Sequence, residues 1–80
     1  MSIELKLLEL GYKPLLFYSP THYYTKFVTK YSCIKFTVEN GKITNCDYEI
    51  IARKIPKEQQ IIRMTINQLQ KDLEVLKECI

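Results

Sequence analysis

Few side chains in this chain have the types and spacing that chemistry requires. His22 is the only histidine, and Cys33 and Cys46 are the thiols nearest to it in sequence. A nucleophilic pair needs a base beside the thiol and a third group to orient that base. His22 instead stands beside Tyr23 and Tyr24, and reads as a surface or partly buried residue. Asp47 and Glu49 are two apart, so on a strand they share a face. Paired carboxylates can bind a metal or share acid–base work. With Lys35 on the preceding strand they read instead as cross-strand charge pairing on a solvated face. Three cysteines, Cys33, Cys46 and Cys79, are an odd number without a Cys-x-x-Cys pair. They read as reduced thiols rather than metal ligands. No catalytic residue, metal site or cofactor is expected, and the chain does not read as an enzyme.

Binding chemistry is better represented. From Leu10 to Val38 there is no acidic residue, and that stretch holds eight of the nine aromatics together with Lys13, Lys26, Lys30 and Lys35. Exposed aromatics anchor a partner and lysines steer it. The expected contact surface is Tyr24, Lys26, Lys30 and Lys35, facing a protein with an acidic surface. A sheet with aromatics between lysines can also stack nucleobases and neutralise phosphates. The segment His22–Tyr31 lacks arginine and the glycines of an RNP signature, so a small nucleic-acid-binding protein is the alternative.

The elements that must position these residues follow from the pattern. Ser2 to Leu10 reads as a short helix, with Ser2 as N-cap, Glu4 in the first turn and Gly11 at a left-handed C-terminal cap. Residues 15–18 form an edge strand or extended connector closed by Ser19-Pro20. Residues 22–30 alternate, with Tyr23, Thr25, Phe27 and Thr29 on the face assigned to the core and Tyr24, Lys26, Val28 and Lys30 outside. Strand 33–38 buries Ile34, Phe36 and Val38. Asn40-Gly41 marks a hairpin into strand 42–51. A three-residue loop, Glu39-Asn40-Gly41, is favoured because it keeps Cys46, Tyr48 and Ile50 on the face of Ile34; a two-residue loop does so only with a compensating bulge. Pro56 opens a helix over 56–79, roughly 35 Å long at 1.5 Å per residue.

Along that helix, Ile62, Ile66, Leu69, Leu73, Leu76 and Ile80 recur at alternating four and three spacing. This is the seam of a helix packed along its whole length. The chain is therefore expected to be one α+β domain over 1–80: a short N-terminal helix, a three- to four-stranded antiparallel sheet, and a long C-terminal helix on one sheet face. Eighty residues supply little net stability from a core alone. The seam, widened by Ile61, Met64 and Val75, is expected to make a homodimer or to bind a partner helix.

The net charge of +3 is mild, and no apolar run approaches the ~20 residues of a membrane span. Met1-Ser2-Ile3-Glu4 has no basic n-region, so neither a signal peptide nor membrane contact is expected, and the compartment is read as cytoplasmic.

Glu9-Leu10-Gly11-Tyr12, the aromatic-rich strands, the Asn40-Gly41-Lys42 hairpin and the Lys-, Ile- and Tyr-heavy composition resemble small α+β proteins encoded by phages and mobile elements of low-GC bacteria. The long final helix, ending Glu78-Cys79-Ile80, departs from that pattern. The resemblance implies a protein that binds and blocks a host protein, including a host defence nuclease, as an anti-CRISPR does. It would act in the host cytoplasm. It carries over no individual binding residue.

Overall fold

A computed structural model describes residues 2–18 and 21–77, with the backbone alone at 16–18. The order is α1 (Ile3–Glu9), β1 (Lys13–Tyr18), β2 (Thr21–Thr29), β3 (Ser32–Glu39), β4 (Lys42–Ile50) and α2 (Glu58–Lys77). The four strands form one antiparallel meander, β1-β2-β3-β4. Both helices pack on one face of it, giving the expected α+β layers. Ile3 and Leu7 of α1, Tyr12, Tyr24, the triplet Ile34, Phe36 and Val38, and Leu76 of α2 make one buried cluster.

α1 stops where the sequence tells it to. Gly11 adopts φ +97°. Tyr12 N–H then donates to Leu7 O (3.0 Å) and Gly11 N–H to Leu8 O (3.1 Å). This paired bond pattern closes a helix on a left-handed residue, with an apolar contact between the flanking positions; Leu7 and Tyr12 are both buried here. Ser2 makes no side-chain cap bond, and its carbonyl accepts Lys6 N–H at 3.1 Å. β1 begins at Lys13, earlier than the pattern suggested, and takes in Pro14 opposite Tyr24. An edge strand tolerates a residue without N–H. The Ser19-Pro20 boundary lies outside the described residues.

Two bulges decide the faces of the sheet. The β3–β4 turn is the two-residue loop: Glu39 pairs with Lys42, and Asn40 (φ +53°) and Gly41 (φ +76°) are both left-handed. The three-residue loop is thereby corrected. A register shift follows at once, leaving Thr44 unpaired between Val38↔Ile43 and Thr37↔Asn45. Phe36 then faces Cys46 and Ile34 faces Tyr48, so the apolar face survives by the bulge.

The second bulge overturns the assignment of β2. Thr29 pairs with Ser32, but Phe27 pairs with Cys33 rather than Ile34, with Val28 as the extra residue. Tyr24 therefore lies beside Phe36 and Lys26 beside Ile34, on the helix side. Tyr24 is 4% exposed and Phe27 64%. Without the bulge, Phe27 would have joined Ile34 in the core, as the alternation suggested.

α2 starts at Glu58, after a turn in which Lys57 takes φ +53° and its carbonyl accepts from Gln60 and Ile61 N–H. Pro56 thus precedes the helix instead of opening it. The buried line of α2 runs through Thr65, Asp72 and Leu76, with Leu69 and Leu73 packed against the core. Ile62 and Ile66 lie half-buried to one side. Ile80, Cys79 and the last part of the expected helix lie outside the described residues. Among the described residues, no helix is long and apolar enough to cross a membrane.

Candidate functional site

The principal polar constellation lies between the helices and the sheet. Asp72, on the seam of α2, projects a nearly buried carboxylate towards β2. Lys26 Nζ donates to its Oδ2 at 2.6 Å and to Leu10 O at 3.1 Å. Tyr12 Oη donates to the same Oδ2 at 2.8 Å, and Gln68 Nε2 to Oδ1 at 3.0 Å. Lys26 Nζ also sits 4.7 Å from the centre of the Tyr12 ring. The cap at Gly11 helps build this site, since it ends α1 with Leu10 O turned to the ammonium, and a cation suits a helix C-terminus. Burial, and then the bond to Asp72, pushes the Tyr12 phenol far above its ordinary range. Every group is held by another. The carboxylate has its donors, the ammonium its acceptors and the phenol its proton. The arrangement locks α2 and α1 to β2.

A second cluster fastens the start of α1. Glu4 Oε1 accepts from Tyr24 Oη (2.7 Å) and His22 Nδ1 (2.5 Å). The His22 bond, then the Tyr24 bond, lowers the Glu4 carboxyl below its ordinary value, against a smaller opposing effect of burial. Burial and the Glu4 bond push Tyr24 up to about 12. His22 therefore has an orienting carboxylate, but neither described thiol completes a catalytic set with it. Cys33 belongs to the opposite sheet face, and Cys46 packs against the core on β4, two strands away. Among the described residues, no group of three His, Cys, Asp or Glu side chains is disposed to hold a metal ion.

The expected basic-aromatic patch is dispersed. Tyr24 and Lys26 face inward and are committed to Glu4 and Asp72. Lys30 is in the β2–β3 turn, its ammonium 5.2 Å from the Tyr31 ring centre. Lys35 alone of the four lies on the outer sheet face, 5.9 Å from the Tyr23 ring centre and directly across from Asp47. The physical reason is the Val28 bulge, which exchanges the two faces of β2. What the outer face presents instead is Tyr23, Thr25 and Phe27 beside Lys35 and Thr37, with Asp47 and Glu49 on β4; Cys33 shares this side of β3 but is buried.

Of the expected helix interface, Leu76 is buried and Leu69 and Leu73 pack on the chain's own core. Ile62 and Ile66 remain half-buried; Met64, two residues from each and so turned to the other side of the helix, is 48% exposed. A shallow depression on the outside of α2, lined by Asn67, Gln70, Lys71 and Leu73 among others, is formed by one helix and converges no polar groups on a point.

The residues missed from sequence are Tyr12, Asp72 and Glu4. Asp72 carried a signal: it lies three residues after Leu69 and four before Leu76, inside the apolar seam. A carboxylate there demands a buried donor.

No protein-family model matches the chain, and no curated protein or solved structure is detectably similar to it.

Proposed function

We propose that this chain is a non-enzymatic protein-binding module, with its contact surface on the flank of α2. One observation carries the reading. The helix buries Thr65 and Asp72 while Ile62 and Ile66, one turn apart on its flank, stay half-buried. Thr65 and Asp72 are satisfied by bonds within the chain, whereas the half-buried Ile62 and Ile66 leave apolar surface that gains from burial against a partner. Apolar side chains at i and i+4 form a ridge that another helix or groove can receive.

The resemblance to phage and mobile-element proteins gives this module a role: occluding the surface of a host protein, as an anti-CRISPR does, in the host cytoplasm. The commitment of Tyr12, Lys26 and Asp72 to one another supports a binding role over a chemical one. The nucleic-acid alternative is weakened because Lys26 faces inward and the outer sheet face carries Asp47 and Glu49, which repel phosphates.

Affinity capture from a low-GC bacterial lysate, with and without nuclease, tests the proposal. A protein partner that survives nuclease, and is lost on Ile66→Glu while far-UV dichroism is unchanged, is the expected outcome. Retention by nucleic acid alone, or equal capture by Ile66→Glu, overturns it.

A further inference from the structure

The net charge of the chain gathers at one end of the molecule, beside the flank of α2. Thr65 and Ser32 share a hydroxyl–hydroxyl bond of 2.7 Å, and Asp72 lies further in, bonded to Lys26. α2 therefore enters over the β2–β3 turn, and its first turns lie at that end with the loop 51–57. The loop is tied at both ends. Ile51 N–H donates to Tyr31 O at 2.9 Å, and Lys57 O accepts from Gln60 and Ile61 N–H. Lys30, Arg53, Lys54, Lys57 and Arg63 are all exposed here, against Glu49 and Glu58. Both arginines of the chain are among them, and the other seven cations are equalled by the other seven acids. The net charge of +3 thus belongs to this end. Lys30 sits over the Tyr31 ring, but the side chains of Arg53, Lys54, Lys57 and Arg63 make no ion pair among the described residues. Arg63 is three residues before Ile66 and so adjoins it on the helix surface.

Taking the α2 flank as the contact surface, we infer that its partner is an acidic amphipathic helix of another protein. The apolar side of that helix lies on Ile62 and Ile66, and its carboxylates meet Arg63 and the cations of the loop. Charge complementarity selects this occupant. A nucleic-acid backbone supplies phosphates but nothing apolar for the ridge. A bilayer takes apolar side chains that project from a surface, whereas Ile62 and Ile66 lie half-buried against their own domain. A second copy of the chain would bring the same unpaired cations to the contact, and like charges across an interface are unfavourable. Arginine presents a planar fork that takes a carboxylate through two bonds, and a tied loop holds its cations in place before the partner arrives.

Fluorescence anisotropy of the full chain with a labelled synthetic helix of about 20 residues, leucines at i and i+4 and glutamates between them, tests this. The glutamate helix should bind. Its dissociation constant should rise about tenfold when the glutamates become glutamines, and by a similar factor from about 50 mM to about 500 mM NaCl. Lys57→Glu combined with Arg63→Glu should weaken the glutamate helix about tenfold, leave the glutamine helix unmoved and keep the far-UV dichroism, because both side chains are exposed. Binding of the glutamate helix that Ile66→Glu leaves unchanged overturns the flank reading, and this inference with it. Binding that depends on Ile66 but is equal for the two helices, or is indifferent to the double reversal, overturns the acidic partner alone. So does a glutamate helix that does not bind, a wild-type dimer that Ile66→Glu abolishes, or tighter binding of duplex DNA or of phosphatidylserine vesicles than of the glutamate helix.

Discussion

Asp72 and Lys26 show how one pair of side chains can set a register between layers. Each is costly to bury alone, and together they remain worth having only because Tyr12, Gln68 and Leu10 O supply the remaining bonds. Removing one member should strand the others. Asp72→Ala is expected to cost about 3 kcal/mol or more, measured by urea denaturation, a large part of the stability of so small a domain. Lys26→Met combined with Asp72→Leu should cost much less than the sum of the single changes. Single losses below about 1 kcal/mol would mean the network does not hold the helix. The tyrosines add an optical readout. Tyr12 and Tyr24 keep their protons in the fold to higher pH than a free phenol of 10. The folded state then binds more protons than the unfolded chain, so this contribution is complete below pH 10 and fades as pH rises towards about 12 for Tyr24. Absorbance at alkaline pH should show these two phenols ionising late, together with the loss of helix dichroism. Their ionisation in step with the exposed tyrosines, before any unfolding, would contradict the burial described here.

Hairpins and helices show where sequence reading succeeded. Gly11, Asn40-Gly41 and the spacing of α2 announced their elements because local chemistry alone requires them. Gly41 at φ +76° has nothing within 4 Å of an added Cβ, so Gly41→Ala isolates the backbone term. It should lower stability by about 1 kcal/mol without disturbing the sheet, as read by chemical denaturation; an unchanged midpoint would contradict the left-handed turn. The faces of β2 were not legible for an equally definite reason. A period-two pattern reports which residues share a face, but not which face is covered, and Tyr23-Thr25-Phe27 and Tyr24-Lys26-Val28 are similarly amphipathic. One extra residue at Val28 chose between them, as one at Thr44 rescued the apolar face of β4. The choice also satisfies Lys26, whose partner on α2 is distant in sequence and invisible to any local pattern. The candidate surface patch failed with the face assignment, since three of its four residues depended on β2 and its turn. The helix interface fared differently: periodicity found the seam, but the seam's inner line contains Thr65 and Asp72, and part of its apolar set was left on the flank.

On the scale of the whole molecule, α1 is the least supported element. It has seven residues, too few to be stable alone. It is held by Ile3 and Leu7 in the core, by the bond from Lys26 to its C-terminal end, and at its N-terminal turn by Glu4. The last of these depends on pH. The bonds from His22 and Tyr24, with the His22 charge, favour the ionised carboxylate and lower its folded pKa beneath the ordinary 4.5. In that range the unfolded chain binds more protons than the folded one, so stability rises with pH. The contribution is complete above about pH 4.5 and is lost as pH falls through the lowered folded value. Acid should therefore release the first turn of α1 before it opens the sheet, because β2, β3 and β4 pair along most of their lengths without Glu4. Hydrogen exchange at pH 3.5 and pH 6 should show Leu7 and Leu8 amides losing protection in acid, after correction for intrinsic rates, while Ile34 and Phe36 keep theirs. Glu4→Gln should abolish the difference between the two pH values, since it keeps an acceptor but no longer titrates. If α1 and β3 lose protection together, or if Glu4→Gln leaves the acid response intact, the Glu4 clasp is not what holds the helix, and the Asp72 network must carry both helices by itself.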